Sequence, residues 1–375
     1  MTRLPPLAGV RVLDFSTLLP GPMCTLLLAE AGAEVLKIER PGRGDEMRTY
    51  APNFGDDSLN FAMLNRGKRS LALDLKNADD VAQALDLARG VHVVVEQYRP
   101  GVMDRLGLGY DALSKLNPRL VYCSITGYGQ TGPMAQIAAH DLNYQAEAGM
   151  LSLSAGADGA PIVPPALIAD LAAGAYPAVM NILLALRTSE ATGQGCKLDV
   201  SMADNLFPLM YWGLGQGFLS GRWPVPGEEL VTGGSPRYRI YRTADDRFIA
   251  AAPLEQKFWE TFLDAIEAPH LIDDATDPKA TREAVARIIA TRTAREWEQR
   301  FAGRDLCAVV VKSLEEAAAN PHFVGRGLFE ECLADGKGNR IPALPVPIDR
   351  QLRSGEHSRG YPALDESRTV GGRRS

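Results

Sequence analysis

The sequence predicts an α/β protein: a mostly parallel, doubly wound sheet covered by helices in the first half, then a smaller α/β domain. Three observations predict it. Short β-branched and apolar runs alternate with helical stretches from the N-terminus to Thr126, the pattern of strands joined by crossover helices. A stretch rich in Gly and Pro, Gly215 to Pro236, then interrupts the alternation. At 375 residues the chain is also too long for one simple core, so two domains are expected.

The elements follow in order. Val10 to Phe15 reads as a strand, Met23 to Ala31 as a helix closed by Gly32, and Glu34 to Glu39 as a second strand, which together make a βαβ unit. A helix near Asp79 to Ala88 and strands at Val91 to Glu96 and Leu120 to Thr126 extend it. Pro164-Pro165 precede a long apolar helix that fades between Thr188 and Gly195, and Lys197 to Ser201 is a further strand. Beyond the Gly/Pro stretch, Arg237 to Ala252 has the pattern of a hairpin turning at Ala244-Asp245-Asp246, followed by amphipathic helices at Gln256 to Ile266 and Thr281 to Ile289. The expected division is 1–215 for the large domain, 216–330 for the small one with its linkers, and 331–375 for a segment returning to the large domain through Pro342 to Pro347. The polar Ser367 to Ser375 reads as a loose tail.

Composition removes several functions. A net charge of -6 argues against a general nucleic-acid binder, which needs a broad basic surface to neutralise phosphates. Cys24, Cys123, Cys196, Cys307 and Cys332 are scattered and odd in number, without CxxC spacing, so neither a disulfide framework nor a zinc site is expected and a reducing cytoplasm fits. Thr2 to Pro6 leads directly into a strand rather than into an apolar leader. The longest apolar stretch, Ala166 to Leu186, carries Asp170, Pro177 and Asn181 and is expected to be a buried helix, not a membrane span. The loop Ser16 to Pro22 lacks the G-x-G-x-x-G spacing of a dinucleotide site, and neither a Walker motif nor a G-x-S-x-G elbow occurs.

Three ionisable residues stand out. His140 opens the run His140-Asp141-Leu142-Asn143-Tyr144, where Asp141 suits an N-cap and would hold His140 on an exposed turn at a positive helix end. Asp170 lies on the first turn of the apolar helix, and Ala172-Ala173-Gly174 beside it would leave room for a ligand. A neutral imidazole and a carboxylate facing one carbon from opposite sides can remove a proton from one face and return it to the other. Glu255 sits at a helix start and could hold an imidazole in one tautomer. Basic residues cluster at Arg40, Arg66, Lys68, Arg69, Lys76, Arg99 and Arg105, several after strand ends, so an anionic nucleotide-like group is expected there.

Further runs are recognisable: Leu7 to Asp14, Ala33 to Gly42, Asn65-Arg66-Gly67-Lys68-Arg69-Ser70, Tyr98-Arg99-Pro100-Gly101-Val102 and Thr126-Gly127-Tyr128-Gly129-Gln130-Thr131-Gly132-Pro133. Together they resemble the class III CoA-transferase superfamily over about Leu7 to Phe329. Within it, His140-Asp141-Leu142-Asn143-Tyr144, Asp170 and Leu254-Glu255 resemble the α-methylacyl-CoA racemase branch, whereas the transferase branch generally keeps the acid and lacks the histidine. The resemblance implies a Rossmann-like large domain, a smaller domain and an interlocked homodimer, with the active site between the large domain of one chain and the small domain of the other. It implies an acyl-CoA substrate, CoA being part of the substrate, with no metal or redox cofactor. Arg40, Asp74, Leu75, Lys76, Tyr98, Arg99, Pro100 and Arg105 would contact CoA. Ala139 to Tyr144 would line the reacting thioester together with Ala169, Leu171, Ala172, Ala173 and Gly174.

The expected reaction interconverts (R)- and (S)-2-methylacyl-CoA through an enolate, with His140 and Asp170 as the proton carriers and Glu255 orienting His140. Backbone N–H groups near the start of the Asp170 helix would stabilise the enolate. The alternative is CoA transfer between carboxylic acids through an aspartyl-CoA thioester on Asp170. The branch is associated with a methionine-rich surface for a sliding acyl chain; here Met150, Met180, Met202 and Met210 are the candidates to converge.

Overall fold

The computed structural model describes residues 4–156, 158–355 and 358–370. Two compact units divide the chain. One takes the chain up to Ala148, Pro164–Leu209 and everything from Gly325 onward; the other takes Gly149–Val163 and Met210–Val324. The expected boundary at 215 therefore moves to Leu209, and Gly149–Val163, expected in the large domain, groups with the second unit.

The first unit is built on a six-stranded sheet in which every pairing is parallel. Its strands are β1 (Arg11–Asp14), β2 (Glu34–Glu39), β3 (Arg69–Ala72), β4 (Val93–Glu96), β5 (Val121–Thr126) and β6 (Cys196–Ser201), in the order β3-β2-β1-β4-β5-β6. All residues of β4 and β5 are buried, which is why they read as unbroken apolar runs rather than as alternating strands. β3 was not anticipated: Arg69–Ala72 is short and mixed in character, and only pairing with β2 makes it a strand. The order reverses between β1 and β4, so the loops leaving their C-terminal ends diverge and open a crevice, the usual ligand position in open α/β sheets.

Helix α1 (Pro20–Glu30) follows β1; every one of its residues is buried, so its apolar character all round has a packing reason. Helix α2 (Ala78–Ala88) starts at an Asn77 cap whose side chain accepts the Asp79 and Asp80 N–H groups. Helix α3 (Asp141–Glu147) precedes α4 (Ile168–Thr192), a long apolar helix interrupted by a π-turn at Leu171–Ala175. Ala169, Ala173, Ala178 and Ile182 of α4 are fully buried, but Tyr176, Met180, Leu183 and Leu184 are exposed, so the expectation of a buried helix holds for one side only.

The C-terminal segment packs on this same unit. Gly67 N–H donates to Gly360 O at 2.8 Å, Tyr361 OH to Phe54 O at 2.6 Å and Arg66 to Leu344 O at 2.7 Å. The tail expected to be loose from Ser367 instead begins as helix Glu366–Val370, with Arg368 donating to Ala72 O at 2.9 Å; residues 371–375 lie outside the described residues.

The second unit holds a three-stranded antiparallel sheet of β7 (Arg239–Arg242), β8 (Phe248–Ala251) and β9 (Ala308–Val310). Asp246, at the hairpin turn, has a φ of 58°, which an aspartate tolerates better than most residues. Helices α5 (Gln256–Ala265), α6 (Pro278–Ile289) and α7 (Ala294–Phe301) cover the sheet around a core of Trp259, Trp297, Phe262 and Ile249.

Candidate active site

A cavity of about 410 Å³ opens at the crevice of the first unit. The loop after β1 supplies Leu18, Leu19 and Pro20, the loop after β4 supplies Gln97 to Pro100, and the end of β5 supplies Ile125 to Tyr128. Ala139, His140, Asn143 and Tyr144 enter from α3 and its approach, Asp170 from α4 and Met202 from the end of β6. His140 and Asp170, thirty residues apart in sequence, thus share one cavity.

The local sequence fixes His140 firmly. It is itself the N-cap of α3, with extended backbone at φ -128° and ψ 176°, and its N–H donates to Asn143 Oδ1 at 3.0 Å. Asp141 is therefore the first helical residue and not the cap. Its carboxylate turns inward, with Oδ1 accepting the Asp170 N–H at 2.9 Å and Oδ2 accepting from Gln145 Nε2 at 2.6 Å. The Asp170 N–H is consequently taken, and that of Leu171 goes to Leu167 O at 3.0 Å, which removes both from the enolate donors expected at this helix start. Asn143 offers a replacement. Because its oxygen accepts an obligate donor, its amide NH2 is left for the cavity.

Asp170 sits where the helix opens into the π-turn, a distortion that is frequent at functional sites. Burial first, and then the Asp141 charge, pushes its carboxyl up to about 7. Among the described residues no cation pairs with it. Tyr144 donates its OH to Ala139 O at 2.7 Å and lies edge-on to Tyr128; burial and then Asp170 raise it to about 12. Gly127 is required here, because a Cβ would stand 2.3 Å from the Tyr144 ring.

The small residues around Asp170 have a packing use. Ala169 and Ala173 are fully buried, and a Cβ on Gly174 would meet Met202 Cγ at 3.0 Å and Ala169 O at 3.2 Å. They make room for Met202 and helix α1. Leu171 and Ala172 are half-buried, and like Leu142 they do not line the cavity. Of the methionines, Met202 forms cavity wall while Met180 is 57% exposed on α4.

The basic residues separate into three groups. Arg66 and Lys68 are buried and paired, Arg66 with Glu30 at 2.7 Å and Lys68 with Asp14 at 3.3 Å, so they serve the fold rather than an anionic ligand. Arg69 opens onto a cavity at the opposite end of the strands. Arg40 follows β2, Asp74, Leu75 and Lys76 follow β3, and Tyr98, Arg99 and Pro100 follow β4, all on the ligand side of the sheet; of these only the last three line the cavity. Arg40 pairs with Glu46 at 3.3 Å on the surface, and Arg105 is exposed at the end of the turn Val102–Arg105.

Glu255 belongs to the second unit and occupies the N-cap position of α5 without a side-chain capping bond, which leaves its exposed carboxylate uncommitted to the helix. Among the lining residues that sequence reasoning did not assign to the site are Leu18, Leu19, Thr126 and Tyr128. The switch-point rule was the available signal for Leu18 and Leu19, whose loop was read only for its missing glycines. Leu18 has a φ of 62°, a strained position for leucine, with its N–H on Asp45 Oδ1 at 3.2 Å.

Comparison with known proteins follows this geometry. The chain is 34% identical to the acetyl-CoA:oxalate CoA-transferase of Acetobacter aceti over 96% of this chain and 93% of the relative. It is also 34% identical to the alpha-methylacyl-CoA racemase of Homo sapiens over 86% of this chain and 82% of the relative. Among solved structures, Rv3272 from Mycobacterium tuberculosis superposes with a TM-score of 0.83 at 28% identity, covering 98% of this chain and 99% of that one. A CAIB/BAIF family protein from Brucella suis gives 0.82 at 25% identity, covering 98% of each. The family model for CoA-transferase family III matches residues 7–368, and the chain belongs to that family, which holds both racemases and CoA-transferases.

Proposed function

We propose that the protein is a 2-methylacyl-CoA racemase, interconverting (R)- and (S)-thioesters by removing the α-proton on one face and returning it on the other. One observation carries the reading: His140 and Asp170 line the same cavity. A transferase needs the carboxylate as nucleophile but has no evident use for an imidazole beside it. The Asp170 carboxyl at about 7 suits a group that both takes and gives a proton near neutrality.

In one direction the ionised Asp170 takes the α-proton, the Asn143 amide NH2 donates to the enolate oxygen, and protonated His140 delivers a proton to the opposite face. The other direction reverses these roles. Glu255 is proposed to orient the His140 ring. CoA is proposed to run along the C-terminal ends of β2 to β4, against Arg40, Asp74 to Lys76, Tyr98 to Pro100 and Arg105. A homodimer belongs to the same proposal. Tyr176, Met180, Leu183 and Leu184 recur at helical spacing as one exposed apolar face of α4, which a second copy would cover. With all five cysteines unpaired, a reducing cytoplasm fits.

Each epimer of a 2-methylacyl-CoA incubated in D2O should exchange its α-proton and yield both epimers by NMR. His140→Ala should lower that exchange about 10²–10⁴-fold while CoA binding persists. CoA transfer unaffected by His140→Ala, with Asp170 trapped by hydroxylamine or borohydride in the presence of acyl-CoA, would support the transferase instead.

A further inference from the structure

The proton-transfer groups come from two segments, and one side chain joins them. Asp141 follows His140 directly in the chain and is only 5% exposed. Its Oδ1 accepts the Asp170 N–H at 2.9 Å, a bond across 29 residues, and its Oδ2 is held by Gln145 Nε2 at 2.6 Å within α3. One helix turn therefore carries both the imidazole and the anchor of the carboxylate that shares its cavity. We infer that Asp141 is a positioning residue: through its carboxylate it locks the Asp170 backbone to the His140 cap, so that the two proton carriers keep a fixed separation across the cavity.

The arrangement explains details that the reaction alone leaves open. The π-turn begins immediately after Asp170, so the helix has a register fault at the residue whose place matters most. An acceptor supplied from outside the helix settles that register, because the N–H it captures cannot slide to another carbonyl without leaving a buried charge unpaired. A neutral acceptor could make the same bond. The charged one also sets the electrostatics, since among the described residues it is the charge that raises Asp170, burial being the larger cause. The other titratable or charged groups around this cavity are His140 and Tyr144 from α3, Tyr128 from the end of β5, and Tyr98 and Arg99 from the loop after β4.

This inference rests on the racemase reading, in which Asp170 carries a proton, and it is tested separately. Asp141→Asn keeps an oxygen for the Asp170 N–H and removes the charge; Asp141→Ala removes both. In exchange assays on both epimers, Asp141→Ala should lower kcat about 10–100-fold with KM changed by less than about twofold, as expected for a misplaced rather than a missing carrier. Asp141→Asn should recover most of that kcat, with the Asp170 limb of its pH profile moved to lower pH. Independently of turnover, ¹³C NMR of labelled aspartates, with the Asp170 signal assigned from Asp170→Asn, should show that carboxyl titrating at lower pH in Asp141→Asn than in the native protein. An unmoved Asp170 titration in Asp141→Asn, or native kcat in Asp141→Ala, overturns the inference. If the native protein exchanges no α-proton from any 2-methylacyl thioester, the racemase reading fails, and the NMR titration alone still decides the role of Asp141.

Discussion

Two groups of carboxylates, all buried except the half-buried Asp170, stand at the C-terminal end of one sheet, and they have opposite chemistry. Behind β1 and β2, burial would raise Asp14, but Lys37 and Lys68, helped by Ser16 and Thr25, outweigh it and hold the carboxyl at about 2. Lys68 Nζ also reaches Pro22 O at 2.9 Å and Asn65 Oδ1 at 2.8 Å, and Lys37 meets Asp45 at 2.9 Å. Next to them Glu39 and Arg48 form a two-pronged pair at 2.7 and 2.8 Å. On the other side of the crevice no cation among the described residues pairs with Asp170, and burial, then the Asp141 charge, leaves it at about 7. Glu96, at the end of β4, also rises to about 7, because burial outweighs the Ser124 hydroxyl, the Tyr98 N–H and Lys197. Burial is common to both groups; the partner decides the sign. A paired carboxylate holds structure, whereas an unpaired one can exchange a proton near neutrality.

The sharpest way to break the comparison is to unpair the first group. Asp14→Ala takes from the buried Lys68 its paired carboxylate, while Lys37 keeps Asp45, and should cost about 3–5 kcal/mol in urea unfolding. Asp170→Asn should do the reverse, lowering α-proton exchange about 10²–10⁴-fold while leaving the fold as stable as before or more so.

Stability against pH sharpens the contrast further. Asp14 lies below the ordinary 3.8, so its contribution is present above that value and is lost as pH falls through about 2. Asp170 lies above 3.8, so its contribution is present at low pH and is lost as pH rises through about 7. The stability of Asp170→Asn relative to the native protein should therefore climb between about pH 4 and 7 and level off, with a gain of at most about 4 kcal/mol. A flat difference across that window would show that Asp170 is ionised throughout.

Smaller effects follow at the edges of the two regions. Leu184→Glu places a charge on the exposed face of α4 and should shift a dimer toward monomer in sedimentation, if a second copy covers that face. Glu96→Gln leaves the Tyr98 N–H an acceptor but removes the titration, so the KM for acyl-CoA should lose its dependence on pH near 7 by a few-fold at most, with kcat unchanged.

Much of the fold was legible because it rests on local patterns. Glu34–Glu39 is a strand at the expected residues, and the ends of α2 and α6 differ from expectation by at most a few positions. β3 was not legible, since four mixed residues acquire strand character only from a neighbour. At the site, His140 and Asp170 could be singled out as chemistry-bearing types. Asp141 could not be read correctly, because whether an aspartate caps its own helix or reaches another depends on what lies opposite it. Nor could Arg66 and Lys68 be told from ligand-binding cations, since sequence carries no record of the acids Glu30 and Asp14 that neutralise them.

The sequence by itself determined the α/β class, the order of most elements, the family and the two residues proposed as proton carriers, because these follow from periodicity and from motifs contiguous in the chain. Only the tertiary structure decided that His140 and Asp170 share a cavity, that the small residues around Asp170 admit Met202 and α1, and which buried charges are paired. The reason is physical: pairing and burial depend on distances between residues far apart in the chain, and those distances set the energies.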